Sequence, residues 1–168
     1  MKEYLTESEL RVKWVPLLFE GEDVICDKSV PDSKSRCRPD FRIDALMLII
    51  EFDGYQHYTT PSVIVRDMLK DDLYRKMGYH VIHIPYFIQM STEIIKILFN
   101  KEISVEQQYP HGFHDKSAII PAAFCTLGLN RFKKDLDTFN IVADDIRNSL
   151  NIKVKELGNS HLVYNVMI

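Results

Sequence analysis

Residues 38–58 read RPDFRIDALMLIIEFDGYQHY, and the hydrophobic pattern of the chain is organised around them. Residues 45–50 are all apolar, and the run stops abruptly at Glu51 and Asp53. A short, continuous apolar run with such an end predicts a buried strand that delivers charge to a sheet edge or cleft. Residues 41–43 and 46–53 read as two strands, with the turn at or near Asp44 and Ala45. A two-residue turn sets Asp40 opposite Ile49, with Glu51 on the neighbouring diagonal. A four-residue turn sets Asp40 opposite Glu51. In either register Asp40 and Glu51 share a face, because strand side chains alternate with period two. Asp53 shares that face as well.

The pattern predicts further elements on both sides. Thr6-Glu7-Ser8-Glu9 fits a capping box for a helix that turns Leu10, Trp14, Leu17 and Leu18 inward, with Pro16 ending or kinking it. Glu9 either completes the cap or reaches the acidic cleft as an outer ligand. Residues 23–26 form a short strand. Residues 27–38 form a polar loop in which Lys28, Lys34, Arg36 and Arg38 are either solvated or in contact with phosphate. A helix over 62–77 carries an apolar stripe of Val65, Leu69, Leu73 and Met77, widened by Met68, and Gly78 caps it. A strand over 80–84 completes a βαβ unit, so its two strands should be parallel. Asp67, Lys70, Asp71 and Tyr74 share the second face of that helix. Lys70 is the cation best placed to lean toward the carboxylates, or else it is a surface partner for Asp67 or another acid.

Beyond residue 100 the pattern predicts one long helix over 131–150, with Phe132, Leu136, Phe139, Ala143, Ile146 and Leu150 on one side. Arg131, Lys133 and Lys134 fall in its first turn, where the helix dipole disfavours cations. Either an anion docks there or solvent, Asp135 and Asp137 screen the charge. Residues 152–156 and 161–166 read as a β-hairpin over Gly158-Asn159. The expected class is α/β: a mixed central sheet flanked by helices over residues 1–100, and a C-terminal helix and hairpin extension over 101–168 packed on it as one domain.

Composition changes this picture little. With 168 residues, 46% hydrophobic and 27% charged, the chain is sized for one domain with a substantial core. The net charge of −3 does not advertise nucleic-acid binding, although a local basic face can act inside an acidic protein. Three cysteines without a CxxC read as free thiols of a reducing compartment. The N-terminus is too charged for a signal peptide and no apolar run reaches membrane-spanning length, so a cytoplasmic, soluble protein is expected.

Asp40, Glu51 and Asp53 on one face repel unless protonated or bound to a cation, and an oxygen-only set suits Mg²⁺ or Mn²⁺. The plainer reading is an amphipathic hairpin with a solvated acidic edge. It accounts less well for Glu51, which ends a run too apolar to have a wet side.

Pro39-Asp40, the eleven-residue step to Glu51 and the following βαβ unit resemble the PD-(D/E)XK nuclease superfamily. EFDGYQHY (51–58), Asp67, Lys70 and GYHVIHI (78–84) resemble its very-short-patch-repair-like branch. The match spans about residues 6–86. The resemblance implies a restriction-endonuclease-like fold and Mg²⁺-dependent hydrolysis of DNA phosphodiesters, with RNA and a homodimer left open. It maps Asp40 and Glu51 onto the metal-binding acids and Glu9 onto the acid of the first helix. The lysine usual two residues after the second acid is Asp53 here. His57 and Lys70, and less so Gln56, are the candidates to orient water. Two rival readings stand beside the endonuclease. One is a nucleic-acid-binding module that has lost hydrolysis. The other is an interaction protein whose C-terminal helix pairs with a partner and which exposes a large apolar patch.

Overall fold

The computed structural model describes residues 4–33, 36–106, 110–113 and 119–158. Thr6 Oγ1 accepts the Glu9 N–H at 3.1 Å and caps the first helix. That helix runs from α1 (Glu7–Glu9) through a π-helical stretch, Leu10–Trp14, into α2 (Val15–Leu18). Proline has no N–H to give the helix, and the wider π turn just before Pro16 absorbs the missing bond. Leu10, Trp14, Val15 and Leu18 are buried, but Leu17, expected inward, is 49% exposed.

Strands β1 (Ile25–Cys26), β2 (Phe41–Ile43), β3 (Leu48–Asp53) and β4 (His80–Pro85) form one sheet in the order β1-β2-β3-β4. The first two pairings are antiparallel and β3–β4 is parallel. Phe41 lies opposite Ile50 and Ile43 opposite Leu48, the register of the four-residue turn. Asp44–Leu46 make that turn as a 3₁₀ helix, and Met47 closes it in the left-handed region at φ 47°. Helix α3 (Gln56–Thr59) and helix α4 (Pro61–Lys76) make the crossover to β4. Leu48 and Ile50, with Phe41, Ile43, Ile82 and Ile84, face the main core. Each fully buried isoleucine there is worth about 1.5–3 kcal/mol of transfer free energy. Residues of α5 (Thr92–Phe99), α6 (Thr126–Thr138) and α7 (Ala143–Leu157) join the same core. The protein is thus a mixed α/β fold with a four-stranded mixed sheet flanked by helices. No helix among the described residues is long and apolar enough to cross a membrane.

Helix α4 is turned the other way from its apolar stripe. Val65, Met68 and Leu69 are 47%, 60% and 66% exposed, while Ile64, Asp67 and Tyr74 are buried. The reason lies in the sheet face beneath. It presents Glu51 and Asp53, and β4 adds His83 beside Glu51. Buried charge is tolerated only when paired, so the helix turns its polar side to the sheet.

The C-terminal region also departs from expectation. Residues 131–150 are not one helix: α6 ends at Thr138, a 3₁₀ turn (Asn140–Val142) follows, and α7 begins at Ala143. The whole stripe from Phe132 to Leu150 is buried in the core, so it is not free to take a partner. Because α6 starts at Thr126, Arg131, Lys133 and Lys134 sit mid-helix, away from the dipole's positive end. Residues 152–156 continue α7, which stops at Gly158 in the left-handed region (φ 66°), so the first half of the expected hairpin is helix. Its second half, 161–166, lies outside the described residues.

Candidate active site

Asp40 stands one step beyond the Phe41–Ile50 pair and therefore meets Glu51. Its N–H donates to Glu51 Oε2 at 3.3 Å, and its own Oδ2 accepts the Phe52 N–H at 2.7 Å. Lys70, from the inward side of α4, brings Nζ to 2.9 Å from Glu51 Oε1. Among the described residues this ammonium is the partner of Glu51 Oε1. Glu51 is only 6% exposed. Burial pushes the Asp40 carboxyl up to about 7, helped by the charge of Glu51. Burial also raises Glu51, and Lys70 pulls it partly back. Burial alone would lower Lys70, but Glu51 holds it above its ordinary value.

Asp53 lies on the same face and is fully buried, but its partners differ. His83 Nδ1 approaches its two oxygens at 3.0 and 3.2 Å, and the Arg131 guanidinium closes on Oδ2. Arg131 Nη1 also donates to Asp67 Oδ2 at 3.3 Å. The same Asp67 oxygen meets His57 Nδ1 at 2.6 Å, while His57 stands 3.4 Å from Asp53. His83 Nε2 reaches Asp71 at 3.0 Å. Burial would lower His83, but Asp53 and then Asp71 overcome it and push it up to about 10. A cationic His83 donates from both nitrogens, so its 3.1 Å approach to Arg131 reflects a shared acceptor, not a bond between them. Burial works against the charged forms of Asp67 and Asp71, yet His57 and His83 respectively hold them below their ordinary values.

Helix α6 is mounted on α3 to deliver this arginine. The Cys125 N–H donates to the Tyr58 carbonyl at 3.1 Å. Gly128 lies so close that a Cβ there would fall 1.7 Å from the same oxygen. Tyr58 donates its hydroxyl to Asp135 at 2.8 Å, and Arg131 lies over its ring at 5.4 Å. Burial lifts Asp135 to about 6 against the pull of Tyr58.

Two donor sets converge within 4.8 Å among the described residues: Asp53–His57–Asp67, and Glu7–Asp27–Asp40. In the first, the Arg131 guanidinium already bridges the two carboxylates. In the second, Arg11 bridges Glu7 at 2.9 Å and Asp27 at 2.8 Å. The first-helix acid that joins Asp40 is Glu7, not Glu9. Two helical residues separate them by roughly 200° about the axis.

Of the residues expected at the site, Asp40, Glu51 and Lys70 meet, and Asp53 and His57 belong to the neighbouring cluster. Lys28, Arg36, Arg38, Lys133 and Lys134 are exposed, and Lys34 lies outside the described residues. Arg131 is turned inward onto carboxylates, not outward as a phosphate contact. Gln56 is exposed. The sequence reading passed over His83, gave Asp71 only a place on the second face of the helix, and gave Glu7 only a place in the capping box. For His83 a signal existed, since period two along HVIHIP places it on the face of Val81, beside Glu51. Comparison of the chain with protein-family models, with curated proteins and with solved structures finds no match.

Proposed function

We propose that the protein is a divalent-cation-dependent nuclease that hydrolyses phosphodiester bonds of DNA, with its site on Asp40, Glu51 and Lys70. The observation that carries this reading is the meeting of Asp40 with Glu51, whose carboxylate takes the Asp40 N–H at 3.3 Å and stands 2.9 Å from the Lys70 ammonium. The donor set fits a hard cation. It is made of oxygens, and Asp40 resists ionisation without further positive charge. A bound Mg²⁺ or Mn²⁺ would polarise the phosphate and acidify a water. The chain's own part is to hold and to exclude. Asp40 and Glu51 would hold the ion, their carboxylates fixed by the Phe52 and Asp40 N–H groups. Lys70 keeps Glu51 in place and offers an ammonium to the attacking water or to charge developing on the phosphate. Lys70 thus stands in for the lysine that Asp53 replaces. The order of helix, three strands, helix and strand supports the same reading.

The partner surface is proposed on the exposed Lys28, Arg36, Arg38, Lys133 and Lys134, which would contact backbone phosphate. The Asp53 lock motivates one rival, a module that binds DNA without cutting it. Incubation with plasmid, single-stranded DNA and RNA, each with Mg²⁺ or EDTA, separates the two. Cleavage is expected with Mg²⁺ alone, and Glu51→Gln should lower it by orders of magnitude. Wild-type rates in Glu51→Gln would remove Glu51 from the site.

A further inference from the structure

Tyr74 lies one turn beyond Lys70 on the inward side of α4 and is fully buried. Its ring packs with Val30, Ile49, Tyr79 and Val81, and Cys37 and Met77 border it. The packing asks only for a phenyl ring, yet the side chain carries a hydroxyl. That hydroxyl is buried and finds no hydrogen-bond partner among the described residues. Ile49 in that cluster stands two residues before Glu51 on the same face of β3, so the pocket adjoins the acid pair. The charges that weigh on the hydroxyl are Glu51 foremost, then Cys37, Asp40 and Asp71. A buried hydroxyl without a partner is costly, and one in a pocket that adjoins an acid pair has an evident use.

We propose that the Tyr74 hydroxyl is the third polar group of the Asp40–Glu51 site and donates its hydrogen bond to a water oxygen that accompanies a bound divalent cation. This rests on the reading that Asp40 and Glu51 hold such a cation. Tyr74 acts on the ion through that water, as a positioning residue. It also explains why a tyrosine occupies an otherwise apolar pocket.

The test pairs Tyr74→Phe with Glu51→Gln and uses Mn²⁺ alone as the probe. Mn²⁺ affinity is read by electron paramagnetic resonance of the free ion, and metal-free stability by thermal melting in EDTA. Tyr74→Phe keeps the ring and removes only the hydroxyl. It should melt at or above the wild-type temperature without metal, and bind Mn²⁺ about three- to tenfold more weakly. Unchanged Mn²⁺ affinity would overturn the proposal. So would a metal-free melting temperature several degrees below wild type, because the hydroxyl would then already have a partner within the protein. Glu51→Gln should abolish Mn²⁺ binding. If it does not, the reading of the acid pair itself fails, whatever Tyr74→Phe does.

Discussion

Asp40→Asn is expected to stabilise the metal-free protein at alkaline pH while changing it little near pH 4. The Asp40 carboxyl is pushed up to about 7 in the folded protein, by burial first and by Glu51 second, from an ordinary value of 3.8. Between those limits the native state holds a proton that the unfolded chain has released. The stability contributed by this group is therefore fully present below the unfolded value, and it is lost as pH rises through the folded one. A gap of about three pH units, at 1.36 kcal/mol each, bounds the loss at about 4 kcal/mol. Partial exposure of Asp40 and solvent screening bring the expected figure to about 2–3 kcal/mol. Asparagine nearly preserves volume, and its Oδ1 still accepts the Phe52 N–H that Asp40 accepts at 2.7 Å. It cannot ionise. Titrating groups remote from Asp40 are common to both proteins and cancel in the difference.

The assay is urea unfolding of both proteins in EDTA from pH 4.5 to 8.5. The stability difference in favour of Asp40→Asn should grow through that range and level off above pH 7. Adding Mg²⁺ should then raise the wild-type melting temperature and leave the variant's almost unchanged, because the ionised carboxylate is the ligand. A difference that does not change with pH, or a variant less stable than wild type at pH 8.5, would refute the account of Asp40 as a buried acid short of positive charge.

Two predictions test the framework around the site. Gly128→Ala should destabilise by at least about 2–3 kcal/mol in urea unfolding, because the new Cβ falls 1.7 Å from the Tyr58 carbonyl and α6 must lift off α3; wild-type stability would deny that contact. Leu69→Lys, at a position 66% exposed, should shift stability by less than about 0.5 kcal/mol, whereas Ile64→Ala at a buried position should cost about 2–5 kcal/mol. The opposite ranking would mean that α4 packs by its apolar stripe after all.

Period two was enough to bring Asp40, Glu51 and Asp53 to one face, since any register keeps alternation. The choice between registers was not legible, because Met47 takes a left-handed conformation at φ 47° with nothing in its side chain to announce it. Helix α4 misled through its hydrophobic pattern. A stripe predicts the buried face only when the opposing surface is apolar, and here that surface carries Glu51, Asp53 and His83. The break between α6 and α7 stayed hidden because the turn over Asn140–Val142 keeps the apolar spacing in phase from Phe139 to Ala143. The inward turn of Arg131 was not legible, because its partners, Asp67 and Asp53, lie 64 and 78 residues away in the chain.

The two halves of the acidic face differ in their charge balance, and that difference separates scaffold from site. Asp53 and Asp67 share Arg131, and Asp53 and Asp71 share a cationic His83. Arg75 and His57 add further contacts to Asp71 and Asp67. Every carboxylate of that half has a directed donor, two of the three are held below their ordinary range, and an arginine stands where a metal would have to enter. Such a cluster orders α3, α4 and α6 against the sheet. Asp40 and Glu51 have Lys70 close by, yet both are held above their ordinary range, so the pair stays short of positive charge. A fold that neutralises one acidic cluster so thoroughly has the means to neutralise its neighbour. Among the described residues it sets a second arginine, Arg11, on Glu7 and Asp27 beside Asp40, and none on Asp40 itself, and this is the physical argument for the proposed cation at this pair.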